Sequence, residues 1–516
     1  SSCHGSPKTN SLPEGIRQPP MSELRNVWIF AGCAALNSCN LGYDLGINSV
    51  VGPPLQEDFG LNSVELELFI AALDFFSIFG ALASGKISDF LGRRKAFAVA
   101  ACTFLAGTVF LVVSTSYLML MLGRCLLGLG IGFGLAADPL YISEVTPREH
   151  RGRFVSLSEI GINVGLVLGF LTGAALSWMP GHVRWRWMFA AGGVLPCVML
   201  LLVRFVMVES PRWLMLKDRA DEAITVMELL YPKGTDVASM VDDIKVDIAQ
   251  ECALNAKVRW RDLFCPAPAV KEMLIVGVGI AGCQQLCGID ILQYFMLFIL
   301  NDAGIESESS QIASLVALGF IKLLLVIVAG PLFDRSGRRP LLLASCAGMS
   351  VSLLVLAINA WFLNVAWLTL VALVAFLSSF SFGMGPGAWL IPSEVFGNHV
   401  RAKGMALATV ANRIVGSVMA ATALSLSEAL TWGGCYFLLT CVVVGIFLFI
   451  YWRVPETKGM SLEEVTAYFV EITNDRSSLL HTPSLEHESG RQVPLDLPTP
   501  MGKASDLAWD GVGRPT

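Results

Sequence analysis

Apolar runs of about twenty residues recur along this chain, each long enough to cross a hydrocarbon core of about 30 Å as a helix. Reading spans at 27–51, 67–88, 95–114, 117–142, 155–177, 187–208, 271–300, 311–333, 340–362, 365–391, 404–427 and 432–453 predicts twelve helices. The runs lack the alternating polarity of membrane strands, which would also have to close a barrel. Between the sixth and seventh spans the pattern changes. Residues 209–271 combine mixed charge with helical periodicity in Ala223, Val226, Leu229 and Leu230, then Val241, Ile244 and Ile248, which predicts amphipathic helices outside the membrane. After Glu456 a short amphipathic helix is expected at about 461–473, opened by Ser461 with Glu464 in capping-box spacing. The Pro-, Ser- and charge-rich stretch 475–516 is expected to be disordered. The chain therefore divides into an N-terminal segment (1–26), a first set of six spans (27–208), a helical linker (209–270), a second set of six spans (271–454) and a tail (455–516).

Composition agrees with an all-α membrane protein. The 516 residues are 54% apolar and only 15% charged, against roughly 25% charged in soluble domains. The net charge of −6 matters less than where the charges fall. Arg93, Arg94, Lys95, Arg148, Arg151, Arg153, Arg335, Arg338, Arg339, Arg401 and Lys403 lie in one set of loops, as does the 209–271 segment. Glu57, Asp58, Glu65, Asp302, Glu306, Glu308 and Glu428 lie in the other, with Arg184 and Arg186. The positive-inside rule then puts both termini and the linker in the cytoplasm. Residues 1–25 hold no apolar core, so no cleavable signal is expected. The 13 Cys are scattered and the six His isolated, so neither a disulfide framework nor a metal site is expected. No nucleophile–base pair or phosphate loop argues for an enzyme. The glycines of Gly128–Gly134 lie inside the fourth span, where they permit close helix packing.

Two phrases at the basic helix ends occur twice. Asp89-Phe-Leu-Gly92-Arg93-Arg94 returns 245 residues later as Asp334-Arg-Ser-Gly337-Arg338-Arg339. Glu144 with Arg151 returns as Glu394 with Arg401, and Glu209 with Arg212 is echoed by Glu456 with Lys458. A parallel duplication is the economical explanation. Gly permits the tight turn, and paired arginines can reach carboxylates on neighbouring helices. The expected role of Asp89, Arg93, Arg94, Glu144, Arg151, Glu209, Arg212, Asp334, Arg338, Arg339, Glu394, Arg401 and Glu456 is a cytoplasmic gate network. The alternative is that these cations only set topology.

With those motifs the chain resembles the sugar porter family of the major facilitator superfamily. The resemblance is carried by Gly42-Tyr43-Asp44, Asp89…Arg94, Glu144…Arg151, Glu209-Ser-Pro-Arg212, Gln284-Gln285-x-x-Gly288-Ile289, Asp334…Arg339, Gly385-Pro386…Trp389…Glu394 and Pro455-Glu456-Thr457-Lys458. Glu159-x-x-x-Asn163, Asp290, Lys322 and Val410-Ala411-Asn412-Arg413 are most similar to plant-type polyol and monosaccharide proton symporters. The resemblance implies the major facilitator fold, two six-helix lobes joined by the linker, and import of a sugar or polyol by alternating access. It also implies a proton as coupling ion, no further cofactor, no nucleic-acid partner, and a chain that functions as a monomer in the lipid bilayer. The plasma membrane is expected, with the vacuolar membrane as alternative. A facilitative uniporter and a non-transporting sugar sensor are the competing readings.

Charges inside the spans sharpen that picture. Asp44, Asp74, Asp138, Glu159 and Asp290 face only Arg124, Lys322 and Arg413, and each charge at mid-bilayer costs about 2.5–3.5 kcal/mol on the lenient scale. The resemblance pairs Asp44 with Arg124 as the proton-coupling pair; a static buried ion pair is the alternative. A polyhydroxylated solute calls for amides, hydroxyls and aromatic rings. The resemblance places Gln284, Gln285, Tyr294, Trp389 and Asn412 at the substrate site, with a helix break at Gly385-Pro386-Gly387. Glu159, Asp290 and Lys322 either contact a longer or open-chain solute or form a triad that never touches it. Asp138 is placed near Glu144, and Asp74 receives no role.

Overall fold

The computed structural model describes residues 24–147, 150–232, 266–397, 400–460 and 462–473, with scattered positions between 237 and 263. The described residues of the first half form helices α1 (Arg25–Phe59), α2 (Ser63–Leu91), α3 (Arg93–Val112), α4 (Tyr117–Val145), α5 (Arg151–Ala175), α6 (Gly181–Gly192) and α7 (Val194–Phe205). Two short helices follow, α8 (Pro211–Leu216) and α9 (Ala220–Leu230). The second half comprises α10 (Pro268–Leu286), α11 (Ile289–Tyr294), α12 (Met296–Asp302), α13 (Glu308–Ser336), α14 (Arg338–Ile358), α15 (Ala366–Phe382), α16 (Met384–Val395), α17 (Arg401–Ala421) and α18 (Ala423–Arg453). The tail helix α19 (Leu462–Thr473) packs back on α10 and α16.

Among the described residues eleven helical stretches are long and apolar enough to cross a membrane, counting α6 with α7, α10 with α11 and α15 with α16 as continuous spans. The twelfth, α1, is 35 residues long but more polar. Its buried face carries Asn37, Ser38, Asn40, Asp44, Asn48 and Ser49, which point into protein rather than lipid. In lipid every polar group must be satisfied internally, so such a helix belongs against neighbours. It packs along α5, where Gly161 and Gly165 let the two backbones meet.

Several boundaries differ from the sequence reading. Helix α1 runs through Pro53 and Pro54 to Phe59, eight residues beyond the predicted end at 51, and is closed by a left-handed cap at Gly60. The sixth span begins at Gly181 rather than 187, because Pro180 starts it. The seventh is broken at Gly288, where φ is +88°, and again at Phe295. The tenth breaks at Gly383, while Gly385-Pro386-Gly387 lies within the first turn of α16. Proline is tolerated there because a first-turn residue has no intrahelical partner for its N–H.

The duplicated phrases build the same device twice. Gly92 and Gly337 each occupy a backbone conformation open essentially only to glycine, φ/ψ +100°/158° and +88°/162°. The helix that follows is capped by a carboxylate from far along the chain. Glu209 accepts from the backbone N–H of Arg93 at 2.7 Å and Arg94 at 3.1 Å. Glu456 accepts from Arg338 at 3.0 Å and Arg339 at 3.1 Å. A side chain on either glycine would collide with that carboxylate. Burial raises the Glu209 carboxyl pKa, opposed by the N–H groups of Ser210, Arg94 and Arg93. Orphan amides and the positive end of the helix dipole make this a natural seat for an anion.

The arginine side chains complete the copies. Arg93 grips Glu144 at 2.9 and 3.0 Å and Asp89 at 2.9 Å, while Arg338 holds Glu394 at 3.1 and 3.0 Å. Arg94 donates to the carbonyls of Val203 and Arg204 at the end of α7, and Arg339 donates to that of Tyr451 near the end of α18. Thr457 adds a hydroxyl to Glu394. Each network ties helices within its own half.

Asp138 does not join Glu144. It lies buried between α4 and α1 and accepts from Asn37 at 3.0 Å and from the Ser38 hydroxyl. Glu144 faces α3 instead, because Arg93 already claims it on both oxygens.

Two stability outcomes follow. Gly92→Ala and Gly337→Ala should each lower stability by about 1–3 kcal/mol, visible as matched falls in thermal unfolding temperature in detergent. A drop at one site alone would break the equivalence of the two copies. Asp138→Asn, which keeps polar atoms opposite Asn37 and Ser38, should unfold near the parent temperature, whereas Asp138→Leu should cost about 1–3 kcal/mol by stranding buried donors.

Candidate functional site

The predicted coupling residues meet. Asp44 on α1 and Arg124 on α4 form a buried ion pair, with the Nη1 donor at 2.8 Å from Oδ1 and 3.0 Å from Oδ2. Asn48, one turn along α1, donates to Asp44 at 2.7 Å and accepts from the other arm of Arg124. The guanidinium carbon lies 4.2 Å from the centre of the Phe69 ring and 5.4 Å from that of Phe189. Its charge is thus held by one carboxylate, one amide and two ring faces, with no exposed surface.

The second-half residues form a connected line of amides. The Gln284 amide nitrogen donates to the Gly385 carbonyl at 2.9 Å, and its oxygen accepts from Asn412 at 2.7 Å. Asn412 also donates to the Ala281 carbonyl at 2.7 Å, which fixes its amide plane. Its oxygen accepts from Arg413 Nε at 3.1 Å and Nη2 at 2.7 Å. Gln285, with its nitrogen toward Asp290 at 3.0 Å and its oxygen toward Arg413 at 3.2 Å, bridges those two charges. Trp389 is half-buried on α16, beyond the Gly383 break.

Glu159 on α5 is half-buried and accepts from Asn163 at 3.4 Å. Lys322 on α13 is buried, with its ammonium 5.9 Å from the centre of the Phe380 ring. Glu159 and Asp290 lie within electrostatic reach of that ammonium. Among the described residues Lys322 makes no ion pair with either. The three charges therefore share one neighbourhood across the halves without closing a bonded triad.

Two residues left without a role by the sequence are central here. Asp74 on α2 forms an ion pair with Arg413 on α17 at 2.8 Å and accepts from the Tyr294 hydroxyl at 3.2 Å. Tyr294 thus spends its hydroxyl on an acid of the other half. Glu67, wholly buried near the start of α2, accepts from the Ser425 backbone N–H at 2.7 Å and hydroxyl at 2.6 Å. Nothing in the sequence marks it, since Ser425 stands 358 residues away. An acid placed within an apolar span was the available signal for Asp74.

Bonds between the halves occur in this central band and toward the acidic-loop end. There Ser49 donates to the Gln293 carbonyl at 2.5 Å, Ser63 donates to Glu428, and Arg184 pairs with Glu308. Helices α2 and α17, and α5 and α13, pack along one another. The expected gate at the basic end is different in kind. The described bonds of Asp89, Arg93, Arg94, Glu144, Glu209, Arg338, Arg339, Glu394 and Glu456 run within one half or the other: Arg93 and Arg338 hold carboxylates, and the side chains of Arg94 and Arg339 reach backbone carbonyls. Arg401 lies in the electrostatic field of Glu394, likewise within its half. Arg212 lies at the start of α8. The side chains of Arg151 and Asp334 lie outside the described residues.

The model of the family described as "Sugar (and other) transporter" matches residues 30–469. Probable polyol transporter 4 of Arabidopsis thaliana is 38% identical over 440 residues, covering 84% of each chain. Putative polyol transporter 1 of the same plant is 34% identical, covering 89% of this chain and 94% of its own. A putative metabolite transport protein of Bacillus subtilis is 33% identical over 86% of this chain and 95% of its own. The fold matches the xylose transporter of E. coli in its inward open conformation, with a TM-score of 0.73 at 23% identity over 86% of this chain and 99% of that one. In the partially occluded inward open conformation the score is 0.74 at 22% identity, covering 85% and 100%. These relatives are transporters rather than enzymes. The chain is an integral membrane protein with the major facilitator fold, and it belongs to the sugar (and other) transporter family.

Proposed function

We propose that this protein is a proton-coupled symporter that imports a polyol or monosaccharide by alternating access of its two halves. The observation that carries the coupling is the Asp44–Arg124 pair, an ionisable carboxylate buried at 2% exposure and held at 2.8 Å from a wholly buried arginine. Ionised, Asp44 neutralises Arg124. Protonated, it releases the guanidinium to Asn48 and the flanking rings, so the α1–α4 contact acquires two energetically distinct states. The printed names of the plant relatives favour a polyol as solute.

In this reading the solute sits against Gln284, Gln285, Asn412 and Trp389, with the charges of Glu159, Asp290 and Lys322 in the same neighbourhood. Amide groups match hydroxyls as both donors and acceptors, and a ring can pack on the C–H face of the solute. Tyr294 supports the site from the interface through Asp74 rather than by touching the solute. Loop charge puts the basic end, the linker and both termini in the cytoplasm, most simply at the plasma membrane. The bonds between the halves toward the acidic-loop end, Ser49–Gln293, Ser63–Glu428 and Arg184–Glu308, are in this reading among those that part when the protein opens outward.

Two measurements test this. In oocytes, a panel of hexitols, inositol and hexoses should evoke inward currents that grow as outside pH falls; solute flux without current favours the facilitative uniporter. Asp44→Asn should abolish accumulation against a gradient while leaving solute exchange measurable. Undiminished accumulation in that variant removes Asp44 from coupling.

A further inference from the structure

Asp74 and Arg413 are 339 residues apart in the chain and belong to different halves, yet their side chains meet at 2.8 Å with little exposure, 2% and 10%. The pair lies where α2 packs along α17, and Glu67 and Ser425 join the same halves nearer the acidic-loop end. Opening that end must part α2 from α17, and so must break this pair. Breaking it leaves Asp74 without its cation in the electrostatic neighbourhood of Asp44 and Asp290, two further acids.

Arg413 is also the end of a line that starts at the amides. Its Nη1 faces Asp74, while Nε and Nη2 both donate to the Asn412 oxygen. That oxygen points to Arg413 because the nitrogen of the same amide is held by Gln284 and the Ala281 carbonyl. An amide has one acceptor edge and one donor edge, so whatever fixes its donor edge also aims its acceptor. A hydroxyl that binds Gln284 or Asn412 acts directly on the group that orients the guanidinium.

We propose that Asp74 and Arg413 form a solute-set latch between the halves. Gln284 and the Ala281 carbonyl already aim Arg413 at Asp74 through Asn412, and the pair holds the acidic-loop end shut. A hydroxylated solute bound at these amides stiffens that aim and tightens the pair. The solute half of this inference rests on the function proposed above; the latch rests on the geometry alone. Asp74 and Arg413 are positioning residues in this scheme, since neither need touch the solute.

The test places a reporter cysteine at Ser49, 1% exposed and bonded across the halves to Gln293. Exposed Cys102, Cys197 and Cys441 are replaced by Ser to lower background. An impermeant methanethiosulfonate is applied to sealed vesicles with the acidic-loop face outward, with and without sorbitol. Asp74→Asn should raise the solute-free modification rate at least about five-fold, the low end of an ordinary coupling between sites. Asp74→Glu, which keeps the charge, should stay near the parent rate and guards against a folding defect. Sorbitol should protect the parent, and Arg413→Lys, which keeps a cation but loses the fork to Asn412, should abolish that protection.

Equal solute-free rates in the parent and Asp74→Asn overturn the latch. An open Asp74→Asn with undiminished sorbitol protection in Arg413→Lys overturns the setting by solute. If no member of the polyol and hexose panel protects the parent, the proposed function fails, and the solute-free comparison still decides the latch.

Discussion

Charge inside hydrocarbon is the constraint on which this structure depends. A lone carboxylate or guanidinium in a span is too costly to leave unpaired, so each must find a partner or an uncharged donor set. Asp44 finds Arg124 within the first half, Asp74 finds Arg413 across the halves, and Asp138 is satisfied by Asn37 and Ser38. These pairings fix which helices lie together. They also set what must break when the halves move, because removing one partner strands a buried charge. Two arrangements of the halves are then separated by discrete bonds rather than by a continuous slide.

The basic end follows a different rule. There the helix termini themselves supply the positive potential, and a glutamate just past the end of the sixth or twelfth span supplies the anion. Glycine at the turn leaves room for that carboxylate, and the two arginines carry the tie on to adjacent helices. The device appears once in each half with nearly the same distances. It ties adjacent helices within each half at the basic end.

Much of the fold was legible because membrane helices announce themselves by length and apolarity. The span that tests that rule is α1, read at 27–51 like the others, whose buried polar residues face into the protein. The candidate site was legible where the residue type is rare in a span. Asp44, Arg124, Gln284 and Asn412 stood out and are brought into bonded sets. Tyr294 stood out too, and what only the structure supplied is the partner of its hydroxyl, Asp74 of the other half. At the basic end the repeated phrases named the arginines and carboxylates, while distance alone decided which carboxylate each arginine holds.

By itself the sequence determined where apolar spans lie, the repeated phrases, the sorting of charge between two sets of loops and the residue types available for chemistry. Those properties depend on local composition and on partition between water and lipid, which act on each segment separately. Tertiary structure alone decided that Asp74 belongs to Arg413, Glu67 to Ser425 and Asp138 to Asn37. Ion pairs and hydrogen bonds act over about 3 Å, and a chain that separates two partners by hundreds of residues carries no local trace of which of several equivalent groups will meet.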